Sequence, residues 1–206
     1  RALSMSRNNI KIGVILQGAE TPFMKEVLKG IQEACAEVDN LGGTVLVHKI
    51  EHQNAEDVIL AMEKMRMEEV RGIAMVPLDE ERVKREIDRF VEEFRIPVVT
   101  FTSDVEDTKR LCFVGQNGVQ CGRAAAGLMG ELTGGKGKVV VISGYSTNTS
   151  LSSRVVGFRE EIARKYPGIE IIGPEYCFEE NGRAREITEG IFKDVPDLDG
   201  IYLTSH

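Results

Sequence analysis

The chain alternates short β-branched segments with amphipathic helical segments along its whole length. The first apolar segment, Ile10 to Leu16, ends just before Gly18, and Pro22 opens a helical stretch in which Val27 and Ile31 begin an apolar face. Strands that are covered by helices on both sides are short and continuously apolar, as these segments are. The alternation therefore predicts a doubly wound α/β fold built on parallel sheets.

A polar segment interrupts this alternation after the fourth predicted strand. Residues 102–109 follow neither a helical nor a strand period, and the strand–helix order resumes after them. We therefore expect two parallel-sheet lobes, residues 10–104 and 105–206, preceded by the end of a hinge or linker at residues 1–9. The last predicted strand runs to the final residue with no helix after it, so the second lobe is expected to be incomplete.

Composition excludes several classes of function. The 206 residues carry a net charge of −7 and include no Trp, which disfavours direct binding to nucleic-acid phosphates. No apolar run is long enough to span a bilayer, so no membrane segment is predicted. The four cysteines stand singly without a CxxC motif, which favours reduced thiols in the cytoplasm, with two disulfides as the alternative.

The residues that follow the predicted strands indicate the kind of ligand. In open α/β sheets, ligands bind outside the carboxyl ends of the strands. The residues at those positions are rich in amides, hydroxyls and aromatics, include one Arg, and are poor in carboxylates. Such a set suits a small polyhydroxylated molecule and does not resemble a metal or phosphate cage.

Motifs for catalysis or metal binding are incomplete. Residues 130–136 have the spacing of a phosphate-binding loop, but Gly137 replaces the hydroxyl residue and the segment precedes a strand instead of following one. His48 and His52 are four residues apart, and no cysteine or carboxylate pattern completes a zinc site. No GxSxG motif or Ser/His/Asp arrangement occurs. We therefore predict no catalytic residue, no metal and no cofactor, and a protein that is not an enzyme.

Several stretches of the chain resemble one family. The segment "IGVILQGAETPFMKEVLKGIQEA" resembles the opening of the ligand domain in the lactose-repressor (LacI) family and in ribose-type periplasmic sugar-binding proteins. The stretches "IPVVTF", "RLCFVGQNGVQCGRAAAGLM", "GKGKVVVISG", "SSRVVGFREEI" and "LDGIYLTS" follow in the order of that family. The resemblance covers essentially the whole chain and implies the two-lobed fold of type I periplasmic binding proteins.

The resemblance also implies a set of ligand-binding residues. By position they are Gln17, Thr21, Phe23, Thr102, Asn117, Arg154, Phe178 and His206. In the family, an aromatic residue of the first loop stacks on the sugar ring, a second stacking aromatic lies near the position of Phe178, and an arginine at the position of Arg154 binds the ligand. The alternatives are that Phe23 packs the start of its helix, that Asn117 only caps a helix, and that Arg154 forms a surface salt bridge.

One position departs from the pattern of the family. Its sugar binders often place an aspartate directly after the fourth strand, where this chain has Thr102. Asp104 follows two residues later and is a candidate substitute. The identity of the ligand is therefore left open.

The resemblance implies two settings for the same domain. The first residues, Arg1-Ala2-Leu3-Ser4, resemble the end of the hinge helix that precedes the ligand domain in the repressors. This favours the effector domain of a cytoplasmic transcriptional regulator, in which a saccharide closes the two lobes and controls operator DNA binding by a homodimer through a missing head domain. The alternative is a periplasmic sugar-binding protein of an ABC transporter.

Overall fold

The computed structural model describes residues 9–205, which divide into two compact units between Gly115 and Gln116. The first unit contains β1 (Lys11–Gln17), α1 (Pro22–Asn40), β2 (Thr44–Ile50), α2 (Ala55–Met67), β3 (Ile73–Met75), α3 (Glu81–Glu92), β4 (Val98–Phe101) and β5 (Cys112–Val114). The second contains α4 (Gly118–Thr133), β6 (Lys136–Ser143), α5 (Thr149–Lys165), β7 (Gly168–Tyr176), α6 (Asn181–Asp194) and β8 (Leu198–Leu203). All strand pairs in the described residues are parallel, which confirms the predicted α/β fold.

The first unit is a five-stranded sheet in the order β2-β1-β3-β4-β5 with helices on both faces. Successive side chains of a strand point to opposite faces. Ile15 accordingly packs in the core formed with α2 and α3, which includes Met62 and Phe90. The next residue, Leu16, packs on the other face with Met24 of α1. Both faces are apolar because both are covered.

The division between the units differs from the boundary expected from the sequence. β5, whose residues were assigned to the second lobe, pairs with β4 in the first sheet, with Phe101 opposite Val114. The polar segment that suggested a crossing is a loop inside the first unit, where the backbone N–H of Lys109 donates to the Asp88 carboxylate at 2.6 Å. The division therefore follows Gly115 instead of residue 104.

The second unit is a three-stranded sheet in the order β7-β6-β8. Helices α4 and α5 cover one face, where Val141 packs with Phe158. Helix α6 covers the other, where Ile142 packs with Ile191.

Helices α4 and α5 pack unusually closely through glycines. A side chain at Gly122 would place its Cβ 2.7 Å from the backbone nitrogen of Phe158, and one at Gly157 would lie 2.7 Å from the carbonyl carbon of Val119. Real Cβ atoms do not approach so closely, so only glycine fits at these two positions. The contact fixes the register of the two helices that carry Asn117 and Arg154.

Within residues 9–205, no helix has the length and hydropathy of a membrane span. All four cysteines lie in this range and are free. The same residues contain no group of three or more histidine, cysteine or acidic side chains that could hold a metal ion. Residues 1–8, with the suggested hinge remnant Arg1-Ala2-Leu3-Ser4, and His206 lie outside the described residues.

Candidate functional site

Gln17, the last residue of β1, is 5% exposed and crosses the end of the neighbouring strand β3. Its Nε2 donates to the carbonyl oxygens of Val76 at 3.0 Å and Pro77 at 3.3 Å. These two bonds orient the amide and leave Oε1 as a buried oxygen without a partner among the described residues. An unpaired buried acceptor costs about 1–3 kcal/mol, so this atom favours a hydrogen-bond donor from water or a ligand.

Thr21 and Phe23 form the entry to α1. The Thr21 hydroxyl accepts from the Met24 N–H at 3.2 Å and donates to the Gly18 carbonyl at 2.9 Å, so it caps the helix. Phe23 lies in the first turn with 52% of its surface exposed. The hydroxyl is therefore committed to the turn, whereas the ring of Phe23 is available to a ligand.

Thr102 follows β4 with a positive φ of 59°. This left-handed conformation is unfavourable for a β-branched residue and costs about 1–3 kcal/mol. Its N–H donates to the carbonyl of Val114 at 3.1 Å, which ties the bend to β5. Such strain is found preferentially at binding sites.

Asp104 forms an ion pair within the first unit. Both of its carboxylate oxygens bind the Arg110 guanidinium, with Nη2 to Oδ2 at 2.5 Å, and the Thr100 hydroxyl donates to Oδ1 at 2.7 Å. Burial alone would raise the pKa of Asp104, but the hydrogen bonds from Arg110 and Thr100 outweigh it and hold that pKa below its usual value. Asp104 therefore anchors its loop.

Arg154 is fixed by two acceptors in the second unit. Nη1 donates to the carbonyl oxygen of Thr204 at 2.6 Å, and Nη2 donates to Oε1 of Gln116 at 3.2 Å. Thr204 is itself held, because its buried hydroxyl donates to the buried Ser143 hydroxyl at 2.7 Å. Among the described residues Arg154 forms no salt bridge, and a guanidinium has five N–H donors. Donors therefore remain for a bound ligand.

Asn117 is the N-cap of α4. Its Oδ1 accepts from the Gln120 N–H at 3.0 Å while the side chain stays exposed. Capping uses the oxygen only, so the amide N–H groups are available to another acceptor.

Phe178 follows β7 with 46% of its surface exposed. It has a φ of 54°, and Glu179 after it has a φ of 57°. Two consecutive non-glycine residues in the left-handed region are each strained by about 1–3 kcal/mol. The loop holds this conformation in part because the Phe178 N–H donates to the Gly144 carbonyl at 3.2 Å.

The predicted site residues therefore form two sets. Gln17, Thr21, Phe23 and Thr102 lie in the first unit and Asn117, Arg154 and Phe178 in the second, while His206 is outside the described residues. The resemblance did not identify Gln116 and Thr204, which orient Arg154. Their positions in the sequence could have indicated them, because Gln116 adjoins Asn117 and Thr204 directly follows β8.

The periplasmic binding protein domain family matches residues 12–205. The chain belongs to this family. The match includes every described residue of both sets, so the strand-end residues are those of a periplasmic binding protein domain.

Solved structures with this periplasmic binding protein fold are similar over almost the whole chain. An ABC transporter solute binding protein from Burkholderia graminis C4D1M, in complex with D-arabinose, is 26% identical, with a TM-score of 0.84 over 95% of this chain and 66% of that one. GanP, a glucose-galactose binding protein from Geobacillus stearothermophilus, is 26% identical, with a TM-score of 0.85 over 96% and 69%. The sugar-binding protein of a sugar ABC transporter from Bacillus halodurans is 27% identical, with a TM-score of 0.75 over 95% and 66%.

The chain thus spans about two thirds of the length of these periplasmic binding proteins. No curated protein sequence matches it. The comparisons establish the family and the fold.

Proposed function

We propose that this chain binds a monosaccharide as part of the solute-binding protein of a sugar ABC transporter. The observation that carries the proposal is the fixed guanidinium of Arg154, which is held by Thr204 and Gln116 and retains free N–H donors. A planar donor group that is oriented before binding suits vicinal hydroxyls, which each accept a hydrogen bond.

The other strand-end side chains support the same ligand class. Phe23 and Phe178 are half-exposed aromatic rings, and an apolar ring face packs against the C–H face of a sugar. Asn117 offers amide donors. Neutral groups dominate these positions, which favours an uncharged ligand.

Transport is better supported than regulation. The similar proteins at 26–27% identity are described as sugar-binding or transporter solute-binding proteins. The transcriptional-regulator interpretation depends on the resemblance to the repressor family and on Arg1-Ala2-Leu3-Ser4, outside the described residues. Operator DNA, a homodimer and a cytoplasmic location remain predictions of that second candidate. Both candidates bind ligand without catalysis, and we assign no reaction to the chain.

Deletion of the encoding gene in its host separates the two candidates. We expect uptake of at least one of radiolabelled D-arabinose, D-glucose and D-galactose to fall, with transcripts of the neighbouring genes unchanged. Restoring the gene should restore uptake, and a copy carrying R154A should not. Normal uptake of all three sugars together with altered transcripts would contradict the transport proposal and favour regulation.

A further inference from the structure

A second aromatic residue lies against Phe178. The rings of Tyr145 and Phe178 have centroids 5.5 Å apart and an interplanar angle of 60°, which is an edge contact. Tyr145 follows β6 and Phe178 follows β7, and these strands are parallel neighbours. The two rings therefore meet at the carboxyl end of the second sheet, and Tyr145 has no role in the site described so far.

The backbone around this pair is held tightly. The N–H of Cys177 donates to the Ser143 carbonyl at 2.8 Å, and the N–H of Phe178 donates to the Gly144 carbonyl at 3.2 Å. A Cβ at Gly144 would lie 2.9 Å from Cγ of Glu179, so the side chain of Glu179 packs against the segment that follows β6. The strained segment after β7 is thus anchored on the segment that carries Tyr145.

The side chain of Phe178 is only partly covered. Nearly half of its surface is exposed, and the backbone hydrogen bonds do not by themselves fix its χ1 rotamer. Its ring is in edge contact with that of Tyr145, a geometry that aromatic pairs prefer. This contact favours one orientation of a ring that is nearly half exposed.

We propose that Tyr145 is a positioning residue whose ring fixes the orientation of Phe178 for stacking on the C–H face of a ring-form sugar. The inference rests on the proposed function for its ligand and goes beyond it by assigning this role to Tyr145. Burial raises the pKa of Tyr145, and the carboxylates of Glu179 and Glu180 add to the effect, so the phenol is neutral at physiological pH. The aromatic ring of Tyr145, and not its hydroxyl, supports Phe178, so a phenylalanine at position 145 should perform the same role.

The orientation of the ring can be measured without a ligand. The chain contains no Trp, so F178W introduces a single indole reporter at the position in question. We expect the time-resolved fluorescence anisotropy of F178W to show faster local rotation when Y145L is added, and no change when Y145F is added. F192W is the matched control, because Phe192 is exposed on α6 of the same unit and its rotation should not respond to Y145L. If the indole rotates equally fast in F178W and in the double variant F178W/Y145L, the proposal is overturned.

Sugar affinity provides the second measurement, made on the full chain with D-arabinose, D-glucose and D-galactose. An unfixed ring must be ordered on binding, so we expect Y145L to weaken binding roughly three- to tenfold and Y145F to bind as the wild type does. Melting temperatures and circular dichroism identify any variant that fails to fold, and Y145M then replaces Y145L.

The two measurements separate failure of the inference from failure of the proposed function. Equal affinities for wild type and Y145L would overturn the role of Tyr145. If the wild type binds none of the three sugars, the proposed function is contradicted for that panel, while the rotation of F178W still decides whether Tyr145 fixes the ring.

Discussion

Nη1 of Arg154 donates to the carbonyl oxygen of Thr204 at 2.6 Å, which ties a side chain of α5 to the carboxyl end of β8. The acceptor belongs to the backbone, so no side-chain substitution at Thr204 removes it directly. The orientation of Arg154 is therefore built into the strand order of the second sheet.

Replacing Arg154 should abolish ligand binding. We expect R154A to weaken sugar binding at least 100-fold, about 3 kcal/mol, because it removes charge-assisted donors to the ligand. R154K should also lose most of the affinity, since an ammonium cannot reproduce the planar fork. Titration calorimetry gives the affinities. R185A is the control, because Arg185 is an exposed residue of α6 paired with Glu189. Wild-type affinity in R154A would refute its assignment.

The buried hydroxyl pair behind Arg154 makes a separate prediction about stability. T204V leaves the Ser143 hydroxyl buried without its donor and should lower the free energy of unfolding by about 1–3 kcal/mol. T204S should restore most of it. The double variant S143A/T204V should be closer to wild type than T204V, because neither position then buries an unpaired hydroxyl. Urea unfolding measures all three, and a T204V protein as stable as the wild type would show that this hydrogen bond contributes nothing.

Two glycines of α4 should respond to the same substitution in opposite ways. G122A places a Cβ against the backbone of α5 and should destabilise the protein by about 1–3 kcal/mol, because the helices must separate. G127A meets no atom within 4 Å and should stabilise by about 0.5–1 kcal/mol through helix propensity. The denaturant midpoints of G122A, G127A and the wild type measure these changes in stability. A G122A protein more stable than the wild type would contradict the close approach of α4 and α5.

Much of the fold was predictable because each strand and helix carries a local signal. β1 and α1 follow directly from apolar runs and helical spacing. The assignment of β5 to the wrong lobe came from a polar loop that does not separate the units, since pairing partners of a strand are set by tertiary contacts. β7 contains Pro174 and continues to Tyr176. A proline is tolerated there because β7 is an edge strand.

The candidate site was predictable in position but not in contacts. Strand ends located Gln17, Arg154 and Phe178, since ligands bind at the carboxyl edge of parallel sheets. No sequence pattern indicates that Asp104 pairs with Arg110 or that a backbone carbonyl orients Arg154, because both depend on how distant segments meet.

The ion pair of Asp104 predicts a pH dependence. Its pKa is held below the usual 3.8, so the pair stabilises the folded state above about pH 4, and this contribution is lost as the pH falls through the lowered value. D104N should lower the free energy of unfolding by roughly 1.5–3 kcal/mol at pH 7. The difference from wild type should shrink as the pH falls below about 4 and through the lowered pKa of Asp104. Thermal unfolding of both proteins at a series of pH values measures this difference in stability. A difference that increases as the pH falls would contradict the prediction.

Thermal unfolding in the presence of monosaccharides tests the central claim most directly. A sugar at 100 times its dissociation constant should stabilise the native state by about 2.7 kcal/mol, which raises the melting temperature by roughly 5–10 °C for a chain of this size. We predict such a rise with at least one of D-arabinose, D-glucose and D-galactose for the wild type, and a rise of no more than about 1–2 °C for R154A at the same sugar concentration. An unchanged melting temperature of the folded wild-type protein with every one of these sugars, at concentrations up to about 100 mM, would contradict the account.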